Sequence, residues 1–217
     1  MTVQIPIPQM QRSRGEAFVS FTRSGDRLRL GDLRQAGSAK AMLPHAGAVP
    51  EAVFLDTSGG LTGGDRLSYG VMLGDGCRAV ATTQTAERAY FTNQGAARVD
   101  VGLTVGAGGW IDWLPQETIL FDGSNLERRT RIDLGAGAGC LALEAVVLGR
   151  AAMGETVARS ALMGSQPGRA LPCRATSICL PMVSVALSRI ALVAEGQIEA
   201  LCRAYAASGV GPESIEL

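Results

Sequence analysis

Alternating apolar and polar residues over short segments are the clearest structural signal in this 217-residue chain. In the segment 97–105, Val99, Val101 and Leu103 lie on one side of an extended backbone, because successive side chains of a strand point to opposite faces. Polar or small residues occupy most of the intervening positions. This pattern predicts a strand with one buried face and one exposed face.

Similar segments recur at intervals of roughly 8–12 residues and are separated by clusters of Gly, Pro, Asp and Asn. The predicted strands are Glu16–Arg23, Arg27–Leu33, Ala52–Asp56, Arg66–Leu73, Arg78–Gln84, Ala97–Val105, Trp110–Leu114, Thr118–Phe121 and Glu127–Leu134. The pattern predicts a mainly β protein in which antiparallel and mixed sheets are stacked or sandwiched, with one or two helices.

The turn residues and the C-terminal quarter of the chain add three further expectations. The turn formers at Gly74–Gly76 and Asp122–Asn125 predict two hairpins. An apolar stripe predicts a helix near the C-terminus, over residues 196–208. We expect a β-rich core over residues 1–163 and a separate, less well specified segment over 164–217, because residues 164–176 show neither strand nor helix periodicity.

Composition and charge narrow the class of protein. Twenty Lys and Arg residues balance 20 Asp and Glu residues, which disfavours nucleic-acid binding through phosphate neutralisation. A chain with 47% apolar residues is expected to fold. The five cysteines form no C-x-x-C pair, the N-terminus lacks a secretory pattern, and no segment reaches the roughly 18 apolar residues of a spanning helix. We therefore expect a cytoplasmic protein that binds neither nucleic acid nor a membrane.

No complete catalytic device is recognisable in the sequence. His45 is the only histidine, so any Ser-His-Asp or Cys-His mechanism would depend on this loop residue. Cys173 and Cys179 would need further thiolates or carboxylates from distant segments to close a zinc site. We predict no catalytic residues, although carboxylates, one imidazole and water are compatible with a weak, open site for a borderline ion such as nickel.

Two segments place a carboxylate in unusual surroundings. Residues 58–65 (SGGLTGGD) lack the Lys-Ser/Thr pair of a phosphate-binding loop, but their four glycines permit positive φ and close packing before Asp65. Glu144 lies within the apolar run of residues 143–149, where an unpaired, dry carboxylate is costly to bury. Arg150 is the nearest candidate partner in the sequence.

Four segments, taken in order, resemble the UreD (also called UreH) family of urease accessory proteins. They are SGGLTGGDRL at 58–67, TTQTAERAY at 82–90, WLPQETILFDGSNLERRTRIDL at 113–134 and LEAVVLGRAAMGE at 143–155. The looser likeness runs from about Glu16 to Met163, so the resemblance implies that residues 164–217 are a divergent or truncated segment. The resemblance implies a non-enzymatic fold of stacked β-sheets with a few helices.

The resemblance also implies a function and site residues. The expected function is a scaffold that joins apo-urease to a UreF adaptor and, through it, to a UreG GTPase during nickel insertion. Nickel would pass through a water-filled interior, with no tightly bound cofactor and no defined coordination site. Family motif positions place Asp65 and Glu144 on that path, and Glu117 and Glu155 match more weakly.

Two alternatives stay open at this point. Asp65, Glu117 or Glu144 could serve as paired carboxylates of a β-sandwich hydrolase, since such pairs act as general acid and base when their environments differ. The chain could also be a metal-free binding module built on a β-sandwich. Carboxyl groups spread along a narrow interior would disfavour the hydrolase.

Overall fold

The computed structural model describes residues 11–25, 27–44, 47, 49–150, 157, 161–165, 175–178 and 185–192. The strands in chain order are β1 (Arg14–Ser24), β2 (Arg27–Gly37), β3 (Ala39–Met42), β4 (Glu51–Asp56), β5 (Arg66–Leu73), β6 (Arg78–Thr83), β7 (Glu87–Ala89), β8 (Ala97–Val105), β9 (Trp110–Trp113), β10 (Thr118–Leu120), β11 (Asn125–Leu134), β12 (Gly139–Leu148), β13 (Ala161–Ser165), β14 (Ala175–Ile178) and β15 (Val185–Leu192).

These strands form two sheets. The first sheet has the order β13-β11-β8-β5-β1-β2. The second sheet has the order β14-β15-β12-β9-β6-β4-β3, and β10 and β7 extend it beside β12. Most neighbours inside each sheet are parallel, whereas β2, β3, β14 and β15 pair antiparallel. The predicted mainly β fold with mixed sheets is confirmed.

From β4 to β13 the chain passes back and forth between the two sheets and winds into a series of coils. Each coil stacks on the one before it. Arg66, Arg98 and Glu127 are Cα partners on β5, β8 and β11 of the first sheet. Arg78, Trp110 and Gly139 are partners on β6, β9 and β12 of the second sheet. Residues far apart in sequence therefore lie side by side at one level of the stack.

The faces that the two sheets turn toward each other form the core. β8 alternates between buried and exposed residues over its whole length, which confirms the predicted half-buried strand. The rings of Phe54 in the second sheet and Tyr69 in the first lie 5.1 Å apart, and Trp113 meets Phe54 edge-on at 6.2 Å. The Phe54–Tyr69 contact joins the two sheets across the core, and Trp113 packs beside Phe54 within the second sheet.

All nine predicted segments are strands, but the two predicted hairpins are wrong. Gly74–Gly76 connects β5 to β6, and the turn after β10 leads to β11, so each joins strands of different sheets. Gly and Asp permit a sharp reversal, and core packing then decides whether the next strand pairs with the last. The predicted helix at 196–208 lies outside the described residues, and the division at residue 163 stays a prediction.

Candidate functional site

Three neighbouring strands of the second sheet are interrupted at one level. β4 ends at Asp56, and the chain next bridges β7 at Leu61. Residues 84–86 separate β6 from β7, and residues 114–117 separate β9 from β10. The opening framed by these two segments and by residues 57–60 is termed the sheet gap.

Local sequence accounts for the interruptions. Pro115 has no N–H group for a ladder hydrogen bond, so β9 ends shortly before it. Gly59 and Gly60 have φ angles of 84° and 138°, which L-residues rarely adopt. The Thr83 hydroxyl accepts a hydrogen bond from the Gln116 N–H at 3.0 Å. A side chain thus replaces part of the missing ladder.

Five side chains from both sheets come together between the sheets at this level. They are Asp56, Tyr69, Glu87, Arg128 and Glu144, and are termed the interior cluster. The charges of Asp56 and Arg128 act on both Glu87 and Tyr69. Three carboxyl groups and the Arg128 guanidinium therefore share the region, and the Arg88 charge also acts on Glu87.

Glu144 links the two sheets across this interior. β12 is continuous past the sheet gap, pairing with β9 up to Ala142 and with β10 from Val146, so Glu144 lies opposite the gap. Its Oε1 accepts hydrogen bonds from Arg128 Nε at 3.3 Å and Thr130 Oγ1 at 2.6 Å, both on β11. The carboxylate is paired with Arg128 and not with Arg150, whose guanidinium lies over the Phe121 ring.

Burial controls the protonation of the cluster. Desolvation, and then the negative charge of Asp56, raise the pKa of Glu87 to about 7, against the opposing charge of Arg128. Near neutral pH Glu87 is therefore divided between its charged and neutral forms. Burial also raises the pKa of Tyr69, with Glu87 and Asp56 adding to the effect, so the phenol stays protonated.

A small cavity of about 40 Å³ lies at the sheet gap. Its lining includes Asp56, Gly60, Tyr69, Thr85 and Glu87. It has room for about three water molecules. Because Thr85 is exposed, the cavity reaches the outer face of the second sheet. Substrate pockets measure roughly 300–1,000 Å³, so this cavity disfavours the hydrolase hypothesis.

The interior cluster is not a closed metal site. Within the described part of the chain, no group of three or more His, Cys, Asp or Glu residues could hold a metal ion. Carboxylate oxygens together with water bind divalent cations weakly when the ligand set is incomplete. Among the described residues, no helix is long and apolar enough to cross a bilayer.

Asp65 lies in a different setting from the interior cluster. Its Oδ1 accepts the Ser13 N–H at 2.7 Å and its Oδ2 accepts the Thr62 N–H at 2.8 Å, and the residue is 4% exposed. These bonds fasten the glycine-rich loop to the start of β1. The predicted close packing is confirmed, because a Cβ on Gly63 would overlap the Gln94 carbonyl oxygen. Its expected place on an ion path stays a prediction.

Of the remaining candidate residues from the sequence, only Glu117 lies among the described residues. Glu117 lies in the sheet gap, where its carbonyl oxygen accepts the Glu87 N–H at 2.9 Å. Glu117 therefore positions Glu87 through its backbone. His45 and Glu155 lie outside the described residues, as do Cys173 and Cys179.

Sequence reasoning did not single out Asp56, Tyr69, Glu87 or Arg128. A usable signal exists for Asp56, which follows the buried Ala52 and Phe54 at the next inward position of an alternating strand. Arg128 likewise follows the buried Leu126 by two residues on β11. A charged residue at an inward strand position is costly unless it is paired or hydrated, which is the signal for Glu144 as well.

The fold and the cluster define a two-sheet β protein with an acidic interior reached through a gap in one sheet. Residues 13–165 match the family described as UreD urease accessory protein. The chain belongs to this family. The description is that of an accessory protein of urease and not of an enzyme.

Curated relatives carry the same description, "Urease accessory protein UreD". The chain is 66% identical over 153 residues to the protein of Cereibacter sphaeroides (strain ATCC 17025), covering 70% of this chain and 56% of that one. It is 57% identical over 150 residues to the protein of Paracoccus denitrificans, and the match covers 69% of this chain and 52% of that one. It is 46% identical over 158 residues to the protein of Rhizobium etli, and the match covers 72% of this chain and 58% of that one. The chain spans just over half the length of these relatives.

Proposed function

We propose that this chain acts in the cytoplasm as a scaffold for urease maturation, through whose interior nickel passes. In this proposal it joins apo-urease to a UreF-like adaptor and, through the adaptor, to a UreG-like GTPase. The family match and the relatives named urease accessory proteins support a role in urease maturation. The route of nickel is argued from the interior cluster.

The observation that carries the nickel route is an acidic cluster behind a gap in a sheet. Strands in an unbroken sheet lie about 4.8 Å apart and are joined by hydrogen bonds, which leaves no opening for an ion. At the sheet gap, Asp56 and Glu87 line a cavity that reaches the outer surface. Glu144, bonded to Arg128, continues the row of carboxylates between the sheets.

A hydrated interior is consistent with the buried polar atoms. The Trp113 Nε1 is buried without a hydrogen-bond partner within the described part of the chain. Buried donors in native proteins are nearly always satisfied, often by ordered water.

Carboxyl groups that bind a cation weakly and can be protonated allow a nickel ion to enter a site and leave it again. A path must bind the cation well enough to admit it and loosely enough to release it. Because the pKa of Glu87 is raised to about 7, this carboxyl can exchange its proton for a cation near neutral pH. Asp65 contributes in this proposal by holding the loop beside the gap.

The test replaces the carboxylates and measures urease activation and assembly separately. The 217-residue chain with Asp56→Asn and Glu87→Gln is co-expressed with urease subunits and UreF-like and UreG-like proteins. We expect urease activity to fall by about tenfold or more, as for other residues that position or hold a metal. The amount of co-purified complex should stay unchanged.

Matched controls are Asp100→Asn and Glu16→Gln, at exposed positions of the first sheet. Activity at the wild-type level in the interior variants would contradict the nickel route. A wild-type chain that forms no complex with urease or the adaptor would contradict the scaffold role.

A further inference from the structure

β2 forms an open edge of the first sheet. It pairs antiparallel with β1 along nine Cα partners and is the terminal strand in the order of that sheet. Its 11 residues are almost all exposed and include no proline. Within the described residues, the other side of this strand carries no paired strand, so its backbone groups are available to a further strand.

The two faces of β2 have opposite chemical character. Arg29 and Arg34 are partners of Thr22 and Phe18 and share the outer face with them, and the Arg34 guanidinium lies 4.6 Å from the Phe18 ring centroid. Leu30 is the partner of the buried Phe21 and therefore points to the inner face. The strand thus presents arginines outward and leucines inward.

The inner leucines extend beyond the core and remain accessible to solvent. Leu30 is 46% exposed and Leu33 is 41% exposed, although both point to the face that is buried on β1. A strand added to the edge of β2 would cover part of these side chains. Large apolar side chains exposed side by side are typical of contact surfaces.

A groove of about 710 Å³ continues this inner face. Its lining includes Phe21, Leu28, Leu30, Leu43, Pro44 and Pro50. Arg23, Arg27 and Arg78 contribute three positive charges to the described lining, against the single acidic residue Glu51. Arg78 also contacts Asp112 at 3.5 Å, with its side chain 60% exposed. The described lining of the groove thus combines apolar side chains with an excess of basic ones.

We propose that β2 is a docking edge for an extended segment of a partner protein in which acidic and apolar residues alternate. The segment adds to the first sheet as a strand beside β2. Because side chains alternate along a strand, its apolar residues fall on the inner face over Leu30 and Leu33. Its acidic residues fall on the outer face beside Arg29 and Arg34.

Charge decides between a partner segment and a second copy of this chain. β2 carries Arg27, Arg29 and Arg34 against the single acid Asp32. Pairing β2 with another β2 would bring two positively charged strands together, which is unfavourable. An acidic segment instead gains opposite-charge pairs with the same arginines. This inference does not depend on the route of nickel.

The test uses a defined probe, a fluorescein-labelled eight-residue peptide of alternating Glu and Val. Fluorescence anisotropy is recorded as the 217-residue chain is added. We expect saturable binding that Arg29→Glu with Arg34→Glu weakens by about tenfold or more, because like charges then face each other. The matched control is Arg66→Glu with Arg129→Glu, which makes the same charge change at exposed positions on β5 and β11.

Peptide variants separate strand addition from general charge attraction. A peptide of four Glu followed by four Val should bind much more weakly than the alternating one. Methylating the backbone nitrogens of the Glu residues or of the Val residues blocks one edge of the peptide strand or the other, so only one methylated form should retain binding.

Four results in the peptide assay would overturn the proposal. They are no saturation up to about 1 mM protein, equal binding of the block peptide, equal binding of both methylated forms, and equal weakening by the control arginine pair. Concentration-dependent self-association abolished by the Arg29 and Arg34 changes would assign the edge to a second copy and likewise overturn it.

Discussion

The first and second sheets are wound from the same successive turns of chain, yet they differ at the level of Glu87. In the first sheet, β5 and β8 run past this level without a break and turn mostly apolar side chains inward. In the second sheet, three neighbouring strands stop and restart, and carboxyl groups occupy inward positions. The interrupted sheet supplies the three carboxyl groups of the interior cluster, and the unbroken sheet supplies Tyr69 and Arg128.

The largest expected effect lies in the unbroken sheet. Leu103→Ala on β8, where the side chain is 1% exposed, should lower the free energy of unfolding by about 2–5 kcal/mol, because it removes buried apolar contacts and leaves a cavity. Urea denaturation measures the change. Thr104→Ala, at the neighbouring exposed position, serves as the control and should change stability little.

Stability is expected to be nearly as sensitive to substitution in the glycine-rich loop, residues 58–65, beside the interrupted sheet. Gly63→Ala should destabilise the protein by about 1–3 kcal/mol, because the added Cβ overlaps Gln94 and Thr92 atoms. Gly102→Ala is the matched control, since a Cβ at Gly102 meets no atom within 4 Å. Equal midpoints of thermal unfolding for the two variants would remove the argument for tight loop packing.

Glu87→Gln should change how stability depends on pH. The pKa of Glu87 is about 7 in the folded state, against 4.5 for an unperturbed glutamate. Between these two pH values the folded state therefore binds more protons than the unfolded state. The wild-type protein consequently loses stability as the pH rises from 4.5 to 7. Glutamine does not titrate. Relative to wild type, the variant should gain about 2–3 kcal/mol between about pH 5 and about pH 8.

Denaturation at the two pH values measures this difference, with Glu16→Gln as the exposed control. A difference between variant and wild type that stays constant with pH would show that Glu87 is not held in a desolvating interior. That result would remove the distinction between the two sheets at this level.

The positions of most strands were predictable from the alternation of apolar and polar residues and from the turn-forming residues between them. Each segment with period two, such as 97–105, is a strand, because one buried face is a local property of the chain. Which sheet a strand joins is not a local property of the chain, so turn residues alone wrongly predict a hairpin at Gly74–Gly76. β12 escaped prediction because its inward and outward positions are both largely apolar, which hides the alternation.

The candidate site was predictable only in part, for the same reason. Glu144 stood out as a carboxylate in an apolar run, and it does lie in the interior cluster. Asp56, Glu87 and Arg128 belong to three different turns of the coil, and only the stacking of those turns brings them together. Asp65 was conspicuous beside its glycines, but its carboxylate binds backbone N–H groups.

The central claim is that nickel passes through the sheet gap, and a charge placed at its mouth tests this most directly. Thr85 is exposed and lines the cavity, so Thr85→Lys and Thr85→Glu place opposite charges at one position. The measurement is the nickel content of urease co-expressed with each variant, at equal amounts of co-purified complex. We predict that the lysine variant lowers nickel content and the glutamate variant does not, because a fixed positive charge repels the cation. Equal nickel content in both variants would contradict the account.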